Sequence, residues 1–263
     1  MELGLQEKVA LVAAASRGLG RAVAEELAEE GASLILCARG EEQLNEVCES
    51  LSRRTLGRIL GVAADLSVTA DVERLVERGL ERFGRIDILV TNSGGPPSGQ
   101  FDSLSRQDWE AAARLLLTSV LDLTRLVLPG MKARGWGRIL NVTSITVKQP
   151  VENLMLSNSL RAAVTGFART LANEVAAYGI TVNNILPGYT RTDRVEQLAE
   201  ALAAKEGISP AAVRARWQAA IPMQRLGEPR EFAALAAFLV SERASYITGS
   251  SIAVDGGWIR SLF

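Results

Sequence analysis

The sequence predicts an α/β fold: a doubly wound, Rossmann-type, seven-stranded parallel sheet with helices on both faces. Two observations carry this. Short β-rich apolar runs alternate along the chain with longer amphipathic stretches, which is the pattern of parallel strands joined by helical crossovers. The chain also opens on a strand, a tight turn, a helix and a second strand, the unit from which such sheets are built.

The first strand is the apolar run Val9 to Ala13. It leads through Ala14-Ala15-Ser16-Arg17-Gly18-Leu19-Gly20 into a helix that runs to about Glu30, and Ser33 to Ala38 is the second strand. Cys48 falls on the next helix. Further strands are expected at Arg58 to Ala64, Ile86 to Thr91, Gly137 to Val142, Thr181 to Leu186 and Ser251 to Val254. Between them, helical periodicity covers Ala70 to Phe83, Arg106 to Met131, Asn153 to Tyr178, Arg194 to Lys205, Pro210 to Ala219 and Glu228 to Val240. Gly94-Gly95-Pro96-Pro97-Ser98-Gly99 reads as a loop rather than a linker, and with no internal repeat or low-complexity tract residues 1–263 are expected to form a single domain. In sheets of this kind ligands bind beyond the carboxyl ends of the strands, so the residues just after each strand are the ones to interrogate.

Composition narrows the function classes. The chain has 263 residues and a formal net charge of −1, with both signs interspersed, so no electrostatic footprint for nucleic acid or a membrane surface is expected. It shows neither a cleavable apolar leader nor an apolar stretch long enough to span a bilayer, and the expected location is the cytoplasm. Cys37 and Cys48 are then expected to be reduced and unpaired. There is no histidine. That excludes a Ser/His/Asp triad, a histidine general base and the usual histidine-containing zinc sites, and two cysteines cannot make a four-thiolate site, so no metal is expected.

The opening unit can place a pyrophosphate on backbone N–H groups at a helix N-terminus, with Gly18 and Gly20 letting the backbone approach it closely. Glycine turns also simply end strands, so the end of the second strand decides the reading. An NAD-type site puts an acidic residue there to hold the ribose 2′-hydroxyl. This chain has Ala38 followed by Arg39. A guanidinium at that place, with Arg17 in the turn, suits a 2′-phosphate that a carboxylate would repel. The device reads as NADP(H)-binding.

Taken in order, Ser16-Arg17-Gly18-Leu19-Gly20, Asp65-Leu66-Ser67, Thr91-Asn92-Ser93-Gly94, Asn141-Val142-Thr143-Ser144, Gly179-Ile180-Thr181-Val182-Asn183, Pro187-Gly188 and Thr248-Gly249 to Asp255-Gly256-Gly257 resemble the short-chain dehydrogenase/reductase family. The likeness spans nearly the whole chain and is greatest to the branch holding 3-oxoacyl-acyl-carrier-protein reductases and related NADPH-dependent carbonyl reductases. It implies that Asp65 and Leu66 flank the adenine, that Asn92, Ser93 and Gly94 line the middle of the cofactor, and that Pro187, Gly188 and Thr192 border the nicotinamide. Each has a plainer structural use: Asp65 can cap the next helix, Gly94 can be only a turn, and Pro187 can simply stop a strand.

The same resemblance exposes a departure. The family uses a serine after its fifth strand, a Tyr-x-x-x-Lys on the next helix and an asparagine on the helix before. Ser144 matches the serine, but without gaps the tyrosine falls on Ser157, the lysine on Arg161 and the asparagine on Leu116. An alkyl hydroxyl is a far weaker acid than a phenol of pKa near 10. Arg161 shares a helix face with Ser157 and can donate to the nicotinamide ribose or an anionic group, but it holds its proton too tightly to relay one. Tyr189 and Lys148 are alternative donors, each with a plainer role in packing or as a solvated charge.

Two readings stay open. One is an NADP(H)-dependent oxidoreductase acting on a carbonyl or alcohol of a small molecule, with Ser144, Ser157 and Arg161 as the catalytic set. The other is a binding module that retains the dinucleotide fold as a sensor or assembly partner. Residues 189–226 are expected to form a substrate lid; it mixes Leu198, Leu202, Val213, Trp217 and Met223 with Arg191, Arg194, Arg214 and Arg216. Stripes of this kind usually pack cores. Helices carrying Leu115 to Leu128 and Ala162 to Val175 are apolar around much of their circumference, and together with the resemblance they imply a homotetramer, with a dimer as the alternative.

Overall fold

The computed structural model describes residues 2–262. Its sheet has seven parallel strands in the order β3-β2-β1-β4-β5-β6-β7. These are β1 (Val9–Val12), β2 (Ser33–Ala38), β3 (Ile59–Ala63), β4 (Ile88–Thr91), β5 (Gly137–Val142), β6 (Ile180–Pro187) and β7 (Ser251–Val254). The expected strands are all present, with ends shifted by a residue or two. The order reverses between β1 and β4, so the crevice at their carboxyl ends is the topological switch point where such sheets bind ligands.

Strand residues alternate between two cores. Ala10, Val12, Leu34, Leu36, Ile88 and Val90 face α1 (Gly18–Glu29), α2 (Glu41–Arg54) and α9 (Pro229–Leu239). Val9, Leu11, Ile35, Leu89, Ile139 and Val182 face α3 (Thr69–Phe83), α5 (Ser119–Arg134) and α6 (Met155–Val175). With both faces covered, the strands have no solvated side. That is why they read as continuous apolar runs in the sequence.

At the amino end of the sheet, buried Asp87 accepts a hydrogen bond from Val9 N–H at 3.0 Å and lies 2.7 Å from Arg85 and 3.4 Å from Arg134, fastening β1 and β4 to the end of α5. Near the carboxyl end a buried polar ladder crosses four strands. Thr91 donates to Asn141 (2.8 Å), Asn141 to Asn184 (3.3 Å) and Asn184 to Ser251 (3.1 Å), each pair being direct register partners. A one-residue slip would turn every one of these amides into an apolar core without a partner, so the ladder fixes the register beneath the crevice.

The stretch expected as one helix from Arg106 to Met131 is α4 (Arg106–Ala113), a π turn over Arg114–Thr118, and α5. Ser105 starts it with a reciprocal capping box to Asp108. The other expected helix, Asn153 to Tyr178, is α6 followed by a 3-10 turn, Ala176–Tyr178. Residues after β6 form α7 (Asp193–Glu206) and α8 (Pro210–Ala220), which enclose a small core of their own made of Ala199, Ala203 and Val213 with Leu202 and Trp217. Among the described residues no helix is long and apolar enough to cross a membrane. Cys37 and Cys48 are both free, and burial pushes the Cys37 thiol up to about 11, which makes it a poor nucleophile at neutral pH.

Candidate active site

The β1–α1 turn brings backbone donors to the switch point. Gly18 takes φ +57°, and a Cβ on Gly20 would lie 2.2 Å from the Ala14 carbonyl oxygen, so the turn closes this tightly only with glycine there. Helix α1 has no side-chain cap and no acidic residue in its first turn, which leaves its first N–H groups and the positive end of its dipole for a ligand. Ala14, at φ +51°, is a non-glycine residue in the left-handed region and lines the same crevice.

A cleft of 340 Å³ gathers most of the sequence-predicted site. Its walls include Arg17, Gly18, Leu19 and Arg39 by the β1 and β2 ends, Asn92, Ser93 and Gly94 after β4, Ser144 after β5 with Ser157 and Arg161 from α6, and Pro187, Gly188 and Thr192 at and after the end of β6, Thr192 lying against Gly18. Ser16 and Gly20 build the turn without lining the cleft. Asp65 and Leu66 stand after β3 and do not line it either: the Asp65 carboxylate accepts from Ser67 N–H at 2.9 Å and Ser67 O–H at 2.7 Å, while Leu66 is buried against α3. Among the described residues, exposed Arg39 has no carboxylate partner and Arg17 pairs at 3.6 Å with exposed Asp193 across the cleft.

Ser144 ends the β5 segment and starts a 3-10 turn, where its Oγ accepts the Thr146 N–H at 3.2 Å. That bond uses a lone pair and leaves the hydroxyl proton free to donate. Arg161 reaches back from α6 to the same strand end, donating to the Val142 carbonyl at 2.8 Å. Burial, helped by the charge of Arg194, brings its guanidinium down to about 10, still protonated at neutral pH. Ser157 lies one turn earlier and is 8% exposed. Leu116 sits in the π turn, 3% exposed, and walls a separate small void behind Arg161 together with Thr91, Ser119 and Thr143. Thr143 lines the cleft and this void, and its buried hydroxyl has no hydrogen-bond partner among the described residues.

Of the two alternative donors, Tyr189 lines the cleft, stacked on Trp217 at 4.6 Å and edge-on to Trp258 at 5.9 Å. Burial pushes its phenol up, so it is a weaker acid than an ordinary tyrosine. Lys148 is exposed and lies outside the cleft lining. Of the apolar residues near α6 and in the 189–226 segment, Leu154 and Leu198 line the cleft, whereas Leu156, Val213 and Trp217 pack elsewhere. Sequence reading passed over Ala14, Gly95, Pro96 and Thr143 and gave Arg194 no separate role. Position just after a strand was the available signal for Ala14 and Thr143, the glycine-proline loop that follows β4 was the signal for Gly95 and Pro96, and Arg194 stood out only as one of several arginines in the 189–226 segment.

A parallel sheet with an uncapped helix N-terminus at its switch point, and a hydroxyl and a guanidinium at the far end of one cleft, defines a Rossmann-type nucleotide-binding protein. A family model described as enoyl-(acyl carrier protein) reductase matches residues 13–259, and the chain belongs to the short-chain dehydrogenase/reductase family. It is 35% identical over 255 residues to a 3-oxoacyl-[acyl-carrier-protein] reductase of Vibrio cholerae, covering 97% of this chain and 98% of that one. It is 32% identical over 259 residues to the NADPH-dependent reductase BacG of Bacillus subtilis, covering 98% and 100%. The structure of L-sorbose reductase from Gluconobacter frateurii, complexed with NADPH and L-sorbose, matches with a TM-score of 0.94 at 35% identity over 100% of both chains.

Proposed function

We propose that this chain is an NADP(H)-dependent oxidoreductase that transfers a hydride between the coenzyme and a carbonyl or alcohol of a small molecule, using an active site that departs from the family pattern. The observation that carries the reading is the cleft itself, which runs from two arginines beside the β1 and β2 ends to the Ser144 hydroxyl. Its residues fit the coenzyme. The α1 N-terminus and Gly18 suit the diphosphate, and Arg39 and Arg17 a 2′-phosphate.

When bound, the nicotinamide supplies or accepts the hydride. The protein's part is to hold and polarise. Ser144, its lone pair engaged by Thr146, donates its proton as a hydrogen bond to the substrate oxygen and stabilises the charge that develops there. Arg161, tethered to Val142, holds a permanent positive charge beside that serine. Ser157 completes the polar floor but is too weak an acid to replace a phenol, so the proton that turns the alkoxide into the alcohol comes from solvent water. We assign residues 189–226 the role of a lid, supported by the separate core within the α7–α8 hairpin and by the place of Leu198 and Tyr189 in the cleft wall. The reading places the protein in the cytoplasm, supported by its free cysteines. It also makes it a homotetramer, with a dimer as the alternative, supported by the exposed small residues Ala162, Ala163 and Gly166 along α6, which let a second helix approach.

The cofactor assignment is tested by Arg39→Asp. It sets a carboxylate where the 2′-phosphate is held, and is expected to weaken NADPH by about 10- to 100-fold while NADH changes little. Fluorescence titration of both coenzymes reads the effect. An unchanged preference contradicts the assignment.

A further inference from the structure

The arginines around the cleft divide into two groups. In the 189–226 segment, four have a carboxylate: Arg191 with Glu228 at 3.1 Å, Arg214 with Glu196 at 2.7 Å, Arg216 with Glu206 at 2.8 Å and Arg225 with Glu231 at 2.6 Å. Arg161 and Arg194 both line the cleft at the Ser144 end and, among the described residues, neither has a carboxylate within 4.0 Å. Each is held by one backbone carbonyl instead, Arg161 by Val142 and Arg194 by Pro96, both at 2.8 Å. A Cβ on Gly95 would lie 2.4 Å from the Arg194 Nε, so that guanidinium is packed directly against the backbone after β4.

Two like charges fixed in one partly buried wall repel each other, and backbone carbonyls do not neutralise them. Burial lowers the affinity of both groups for their protons, yet a guanidinium brought to about 10 stays cationic at neutral pH. Such an arrangement is costly in a resting core and favourable where an anion is to be received. A guanidinium has five N–H donors in a planar fork, and with one used on a carbonyl each arginine keeps donors for an oxyanion. The coenzyme's phosphates would be held by the α1 N-terminus, Arg17 and Arg39. The same cleft lining holds apolar Val151, Leu154 and Leu198 together with Gln197 and Asp193, whose carboxylate pairs with Arg17 rather than with Arg161 or Arg194.

The geometry points to an oxyanion subsite made by Arg161 and Arg194, so that the substrate is a carbonyl compound, or the matching alcohol, carrying a carboxylate or phosphate. This rests on the oxidoreductase reading and names its substrate class. Arg194 is a substrate-binding residue in this proposal; Arg161 serves both the subsite and the polar floor beside Ser144.

Three ketone pairs test it with the full chain and NADPH: 3-oxobutanoate and its methyl ester, 4-oxopentanoate and its methyl ester, and dihydroxyacetone phosphate and dihydroxyacetone. At least one charged member is expected to exceed its neutral partner in kcat/KM by about 10- to 100-fold. Arg194→Gln should collapse that ratio, chiefly through KM, and Arg194→Lys should recover part of it. The carboxylate and phosphate pairs then tell which oxyanion is taken. Equal rates for charged and neutral members overturn the proposal. So does an unchanged ratio in Arg194→Gln accompanied by weakened NADPH binding, which would assign Arg194 to the coenzyme diphosphate. If NADPH binds but no ketone is reduced, the oxidoreductase reading fails separately, and the melting temperature of the NADPH complex decides the subsite. Charged members must then raise it above their neutral partners in the wild type and not in Arg194→Gln; no difference overturns the proposal.

Discussion

Replacing Ser157 by tyrosine and Arg161 by lysine in one chain is expected to raise the rate of carbonyl reduction by about 10²- to 10⁴-fold, the usual contribution of a positioned general acid. The expectation follows from the two side chains that line the cleft at these positions. Ser157 is a short alkyl alcohol, and Arg161 remains charged at neutral pH and relays no proton. A phenol is a far stronger acid, and a neighbouring ammonium lowers its pKa further. The two positions are four residues apart on α6, so phenol and ammonium would share one face. NADPH oxidation with a simple uncharged ketone reads the gain without involving the oxyanion subsite. If the double variant folds and binds NADPH yet shows no increase, lack of a proton donor is not what limits this site.

Ser144→Ala is expected to lower kcat/KM by about 10²- to 10³-fold, the typical cost of removing one donor aimed at a developing oxyanion. Ser144 is suited to that role because its oxygen accepts from Thr146 N–H while its hydroxyl proton is left free to donate. Alanine leaves the 3-10 turn a single hydrogen bond poorer and removes the donor entirely. Steady-state rates with the same ketone measure the loss. An unchanged rate would mean that another group polarises the substrate, and the assignment of Ser144 would fall.

The parts of this fold that were legible in the sequence are those written in local chemistry. Strands buried on both faces had to be apolar runs, and the ends of β1, β4, β5 and β6 had to reach the switch point, so position singled out the residues around Gly18, Asn92, Ser144 and Pro187, while their particular roles came from the family resemblance. Other features depend on tertiary partners. The π turn at Leu116 interrupts a stretch whose periodicity reads as one helix, because the extra residue changes the backbone register without changing the apolar pattern. Asp65 was assigned to the adenine by resemblance; the local turn in which Ser67 donates twice to its Oδ1 is a contact that sequence position did not reveal. Most informative is Arg194. In sequence it is one of several arginines in the lid; only the structure shows that the others have found carboxylates and that it has not.

The most direct test of the whole account is isothermal titration of the purified wild-type chain with NADPH and with NADH at equal ionic strength. The account predicts saturable binding of NADPH, tighter than NADH, because Arg39 and Arg17 answer the 2′-phosphate. Equal affinities would contradict the role given to those arginines. Absence of binding by either coenzyme to well-folded protein would contradict the account at its root.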